Sequence, residues 1–317
     1  MKQYIAIFFF LIALWLTAII ITPKTGRTAL VLNNEFGVPN QLSRKSNIAQ
    51  KNLAPAIPPS CAVKPELNTT TSNQLTDLAL SPITISRFRR LGNKSNPSTE
   101  ESFNLEDASR VLNNYKPLES IAVADPTNYG ERFLNDLYGK PAQYSPIVVI
   151  HETVGSAKSA INLFQTSHQL DSQQVSYHAL IKRSGEVVYI VPPEMRAFGA
   201  GNSVFEGENG RESVKTSPEH PPSVNNFAYH VSLETPQDGN NNRRRHSGYT
   251  QAQYQSLAWL VAKTGVPDSR ITTHKAVDRS GQRGDPRSFN KQAFFRLLQN
   301  QPRTNEIVID CQSLARK

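Results

Sequence analysis

The sequence predicts a mixed α/β fold, a central β-sheet with helices packed against it. Strand-length apolar or alternating runs recur at 147–150, 177–182, 186–191 and 228–233. Segments with three- and four-residue apolar spacing occupy 157–169, 251–263 and 291–298. The two kinds of segment are interspersed along the chain, as in a layered α/β domain.

The run Ile147-Val148-Val149-Ile150 is continuously apolar, so it reads as a buried strand that delivers His151 at its mouth. Segments 177–182 and 186–191 are expected to form a hairpin through Arg183-Ser184-Gly185, since a short Gly-containing loop suits such a turn. In the helix expected at 251–263, Thr250 and Gln253 form a Thr-x-x-Gln capping box, and Gly265 closes the other end. Tyr254, Leu257, Ala258 and Val261 make its buried stripe. The helix at 157–169 buries Ile161 and Phe164 and leaves His168 at the surface, while the helix at 291–298 buries Phe294 and Leu298.

The chain divides by composition. Residue Lys2 precedes an apolar run at 4–21, which at ~1.5 Å per residue is long enough to cross a bilayer core. No small-x-small cleavage site follows Ala18, so an uncleaved signal anchor is favoured over a cleaved signal peptide for 1–22. Either way the remainder is expected to be exported, to the periplasm or cell envelope. Residues 23–104 are rich in Asn, Ser, Thr, Pro and Lys. Such a stretch buries too little apolar surface to offset its ordering entropy, so it reads as a disordered tether with a short ordered piece near 78–91. The folded domain is expected at 105–301, with a tail at 302–317. Cys61 and Cys311 flank it; in an oxidising compartment they either pair or stay free. The net charge of +9 suits an anionic partner such as a wall polymer or membrane surface. Nucleic acid is disfavoured, because Arg243-Arg244-Arg245 has no aromatic interleaving.

His151, His274 and Asp285 are the candidate metal ligands. Two imidazoles and a carboxylate suit Zn²⁺ and leave a fourth position for water. Asp278, four residues after His274, is the rival third ligand.

The region from about 145 to 299 resembles the type-2 N-acetylmuramoyl-L-alanine amidases, of the superfamily that includes peptidoglycan recognition proteins. The resemblance rests on Val148-Val149-Ile150-His151, the run from Ser176 to Val187, Arg196-Ala197-Phe198-Gly199-Ala200-Gly201, Val231-Ser232-Leu233-Glu234, Thr273-His274 and Asp285-Pro286, in that order. It implies helices packed on the sheet with a zinc site at one open face. It also implies hydrolysis of the amide between N-acetylmuramic acid and L-alanine in peptidoglycan or muropeptides. The matching Asp-Pro favours Asp285 over Asp278. Tyr177 matches a Tyr beside the metal that faces the water or oxyanion, and Arg283 lies where members often carry a Lys. His178, its neighbour on a strand, should face the other way and serve packing.

Three departures stand out. Ser232 occupies a position where some bacterial members carry Glu, so Glu234, two residues along, is the first candidate for the base and Glu152 the second. Gly199 replaces the His of a family Trp-His-Ala-Gly segment, and the loop before Asp285 is one residue longer. Retention of Asp285 favours an enzyme over a catalytically silent peptidoglycan-binding module.

Overall fold

In the computed structural model the described residues are 83–91 and 115–309. The apolar run at 147–150 becomes strand β3 (Ile147–Glu152), buried along its whole length. Six strands form the central sheet: β1 (Glu119–Ile121), β3, β4 (Ala179–Ile181), β5 (Val187–Tyr189), β9 (Ala228–Leu233) and β10 (Ile271–Thr273). Their spatial order is β1-β5-β4-β9-β3-β10. All neighbours are parallel except the hairpin β4–β5, so the expected mixed sheet is present. Two small antiparallel ribbons lie outside it, β2 (Tyr129–Gly130) with β6 (Arg196–Ala197) and β7 (Phe205–Gly207) with β8 (Gly210–Glu212).

Alternation along β3 splits the core. Val148 and Ile150 pack with Leu257, Val261, Phe294 and Leu298, from α2 (Gln251–Ala262) and α4 (Lys291–Gln299). Ile147 and Val149 face Val224, Phe227 and Val277 on the other side. His151 continues the second set. The capping box of α2 is formed, with Gln253 N donating to Thr250 Oγ1 at 3.1 Å and Thr250 N to Gln253 Oε1 at 3.0 Å. The β4–β5 turn holds Gly185 at φ +89°, where a Cβ would lie 3.0 Å from the Ala252 carbonyl oxygen.

Helix α1 (Ala157–Gln165) stops short of the expected Gln169. Asn128 Nδ2 donates to the carbonyls of Phe164 and Thr166 at 2.7 and 2.8 Å, replacing the next helical turn. Packing also extends outside 105–301. Phe88 is 1% exposed and stacks on Tyr189. Arg89 bridges Glu119 at 2.8 Å and Glu306 at 2.7 Å, and Ile307 and Ile309 are buried. Among the described residues no helix is long and apolar enough to cross a membrane. The apolar run at 4–21, most of the tether, Cys61 and Cys311 lie outside the described residues.

Candidate metal centre

Strands β9, β3 and β10 are parallel, so their carboxyl ends reach one edge of the sheet, the usual place for a site in an α/β layer. His151 lies near the end of β3. His274 follows β10 directly as the first residue of α3 (His274–Val277), which Thr273 caps. Lys275 N donates to the Asp285 carbonyl at 2.8 Å and holds the Asp285 loop against that helix. One ligand atom from each of His151, His274 and Asp285 lies within 4.8 Å of the others.

The Asp285 carboxylate approaches His151 Nδ1 at 3.3 Å and His274 Nδ1 at 3.1 Å. His151 is fully buried, yet its Nδ1 has no hydrogen-bond partner of good geometry. Burial pushes its pKa down to about 4, so the ring is neutral at pH 7. For Asp285 burial alone favours the protonated acid, but the His151 and His274 rings beside it outweigh burial and hold the carboxyl below its usual range. A neutral imidazole with an unpartnered nitrogen, a second imidazole and an ionised carboxylate are the donor set of a tetrahedral zinc site with one open position. His151, His274 and Asp285 thus fit the ion. Asp278 is held elsewhere: it accepts from Ser280 Oγ at 2.6 Å and Arg283 N at 3.2 Å, shaping the loop.

Tyr177 sits just before β4 and stacks on His151, ring centroids 4.4 Å apart. Burial raises its pKa above the ordinary phenol value, so the hydroxyl stays a proton donor. Arg283 is exposed on the wall of the same cleft of about 760 Å³, which Tyr177, His274 and Asp285 also line. The neighbouring wall carries Arg196, whose guanidinium lies over Phe133 and Phe198.

The structure does not bring Glu234 to this cleft. Its Oε1 accepts from Ala157 N at 3.0 Å and its Oε2 from Arg183 N at 2.9 Å, so it ties α1 to the β4–β5 turn. The alternation that would place it on the face of Ser232 fails because β9 ends at Leu233. Glu152 borders the cleft, but its carboxylate is engaged by His246 at 2.9 Å, Tyr249 at 2.7 Å and Arg287. Arg287 in turn donates to the carbonyls of Gly239, Asn241 and Arg243, tying down the basic loop, whose Arg243, Arg244 and Arg245 are exposed. His178 does not join His151, His274 and Asp285; it accepts from His230 N at its Nδ1 and meets the Met195 carbonyl at its Nε2.

Sequence reasoning missed His230. It is fully buried in β9, with its Nδ1 2.9 Å from His151 Nε2. Strand alternation carried the signal: His230 and Ser232 share a face, and Ser232 pairs with His151.

The buried imidazoles make the metal-free protein sensitive to acid. Burial lowers the pKa of His151, and also those of His178 and His230. The unfolded chain takes up these protons below pH 6.5 while the fold does not, so stability present at pH 7 is lost as pH falls. For His151 the window runs from 6.5 down to about 4, and between pH 6.5 and 5 it contributes a loss of roughly 2 kcal/mol. His178 and His230 add to it. Urea unfolding of the metal-free protein at several pH values checks this; a flat profile from pH 7 to 5 refutes it.

Residues 141–288 match the family described as N-acetylmuramoyl-L-alanine amidase. A curated relative, the 1,6-anhydro-N-acetylmuramyl-L-alanine amidase AmpD of Citrobacter freundii, is 32% identical over 104 residues; the match covers 33% of this chain and 41% of that protein's length. Among solved structures, the crystal structure of an AmpD derivative aligns at 21% identity and TM-score 0.40, covering 59% of this chain and 97% of that one. AmpDH3 from Pseudomonas aeruginosa, solved in complex with anhydromuramic pentapeptide, aligns at 15% identity and TM-score 0.36, covering 49% of this chain and 60% of that one.

Proposed function

We propose, from the match of residues 141–288 to the N-acetylmuramoyl-L-alanine amidase family, that this chain is a zinc amidase of the cell envelope. It cleaves the amide between N-acetylmuramic acid and L-alanine in peptidoglycan or muropeptides. The observation that carries the zinc reading is His151 Nδ1, buried without a hydrogen bond and grouped with Asp285 and His274. The apolar run at 4–21 supports export, with the segment serving as an anchor in the inner membrane.

His151, His274 and Asp285 hold the metal, and bound zinc supplies Lewis acidity at neutral pH. The chain's own groups do the rest. The cleft of about 760 Å³ is large enough to take a sugar-peptide junction. Tyr177 stays neutral and donates to the oxygen that gains charge as the carbonyl is attacked. Arg283 adds a positive charge and guanidinium hydrogen-bond donors on the same wall.

One observation favours the second reading, a catalytically silent peptidoglycan-binding module. Position 232 is a serine whose Oγ is buried without a partner, and the carboxylates of Glu234 and Glu152 are both engaged. Incubation of the full chain with purified sacculi separates the two readings. The amidase releases free stem peptides, detectable by mass spectrometry, and stops when a chelator is added. Binding to sacculi with no release in the presence of zinc overturns the amidase in favour of the module.

A further inference from the structure

The mechanism leaves the imidazole of His230 unused, although its place is fixed from several sides. His230 N donates to His178 Nδ1 and its carbonyl accepts from His178 N, both at 2.9 Å. The face of its ring lies on Gly199, where a Cβ would fall 2.5 Å from His230 Cγ and 2.6 Å from its Nδ1. Any side chain at 199 would therefore displace the ring. From the sequence Gly199 reads as a family histidine lost; in the structure it is the space that an imidazole from the neighbouring strand fills.

What His230 does there follows from the chemistry of a ligating histidine. A neutral imidazole that offers one nitrogen to a metal carries its proton on the other, and that N–H needs an acceptor to fix tautomer and ring rotation. His151 offers Nδ1, so its proton sits on Nε2. The atom within reach of that proton is His230 Nδ1, at 2.9 Å. We propose that His230 is a positioning residue for His151, accepting the Nε2–H at its own Nδ1 and so keeping His151 Nδ1 bare towards His274 and Asp285.

This assignment rests on the zinc reading of the site. It fixes the tautomer of His230, which carries its proton on Nε2, an atom buried with no hydrogen-bond partner. Buried polar atoms are seldom left in that state. The arrangement makes sense where the other ring nitrogen has a task that packing alone does not set.

The test uses the full chain and three proteins: the parent, His230→Leu, which keeps bulk but removes the acceptor, and His230→Asn, whose side-chain oxygen can take the place of Nδ1. Zinc affinity is measured by competition with a chromophoric chelator, and ring tautomers in the zinc-loaded parent by long-range ¹H–¹⁵N NMR. His230→Leu is expected to bind zinc ~10–100-fold more weakly, and His230→Asn to recover most of that loss. In the parent, His151 and His230 should both carry their protons on Nε2. A His230→Leu protein that is folded and binds zinc as tightly as the parent overturns the assignment. So does a parent in which His230 is protonated on Nδ1, a readout that needs no variant to fold. A parent that takes up no zinc overturns the functional reading itself, whereas failure in the variants alone overturns only the role of His230.

Discussion

Purified His151→Ala protein is expected to carry almost no zinc where the parent carries about one ion per chain, and to lose amidase activity with it. The ligand atoms converge from β3, from the first residue of α3 and from the loop that ends at Asp285. Removing one leaves an imidazole and a carboxylate, a set that holds the ion poorly and no longer defines a tetrahedral open position. The fold should persist, because the strand is anchored by Val148, Val149 and Ile150, all at most 1% exposed. Metal analysis beside circular dichroism makes the comparison. Full zinc occupancy in a folded His151→Ala protein would remove His151 from the site.

The second large effect concerns Tyr177. Tyr177→Phe keeps the ring that stacks on His151 and deletes the hydroxyl. Zinc content and stability should stay near the parent's while turnover falls ~10²-fold, the scale of one oxyanion donor. Glu234→Gln should do the opposite. Its carboxylate accepts two backbone N–H groups, from Ala157 and Arg183, and an amide has one acceptor oxygen for them. A loss of about 1–3 kcal/mol in stability is expected, with turnover in the surviving folded protein close to the parent's. Steady-state rates on muropeptides, normalised to folded protein, decide between them. A larger turnover loss in Glu234→Gln would mean that its carboxylate serves the reaction after all.

The sheet and its main helices were legible because their signals are local and repetitive. The apolar run before His151, the hairpin at Gly185 and the capping box at Thr250 each follow from a few adjacent residues. The site was legible in part: His151, His274 and Asp285 were grouped from residue chemistry and resemblance, and the structure brings them together. Glu234 was placed by extending strand alternation beyond Leu233, where the chain leaves β9 and the rule no longer holds. His230 escaped notice because its contact is with an imidazole on another strand, and the alternation that puts it on the face of Ser232 points to the site only once the pairing of Ser232 with His151 is known. The bridge from Arg89 to Glu119 and Glu306 is likewise invisible to any local pattern.

The parallel alignment of β9, β3 and β10 also bears on the order of events in folding. His151 is distant in sequence from His274 and Asp285, and it meets them only after strands with long intervening segments have paired in register. Such non-local pairing carries a loop-closure cost before any contact repays it. Until it is complete there is no preformed pocket for an ion to enter. An ion bound there would therefore be a late passenger: apolar pairing of β3 with β9 would set the topology first, and the metal would add to the persistence of a structure that it had no part in nucleating.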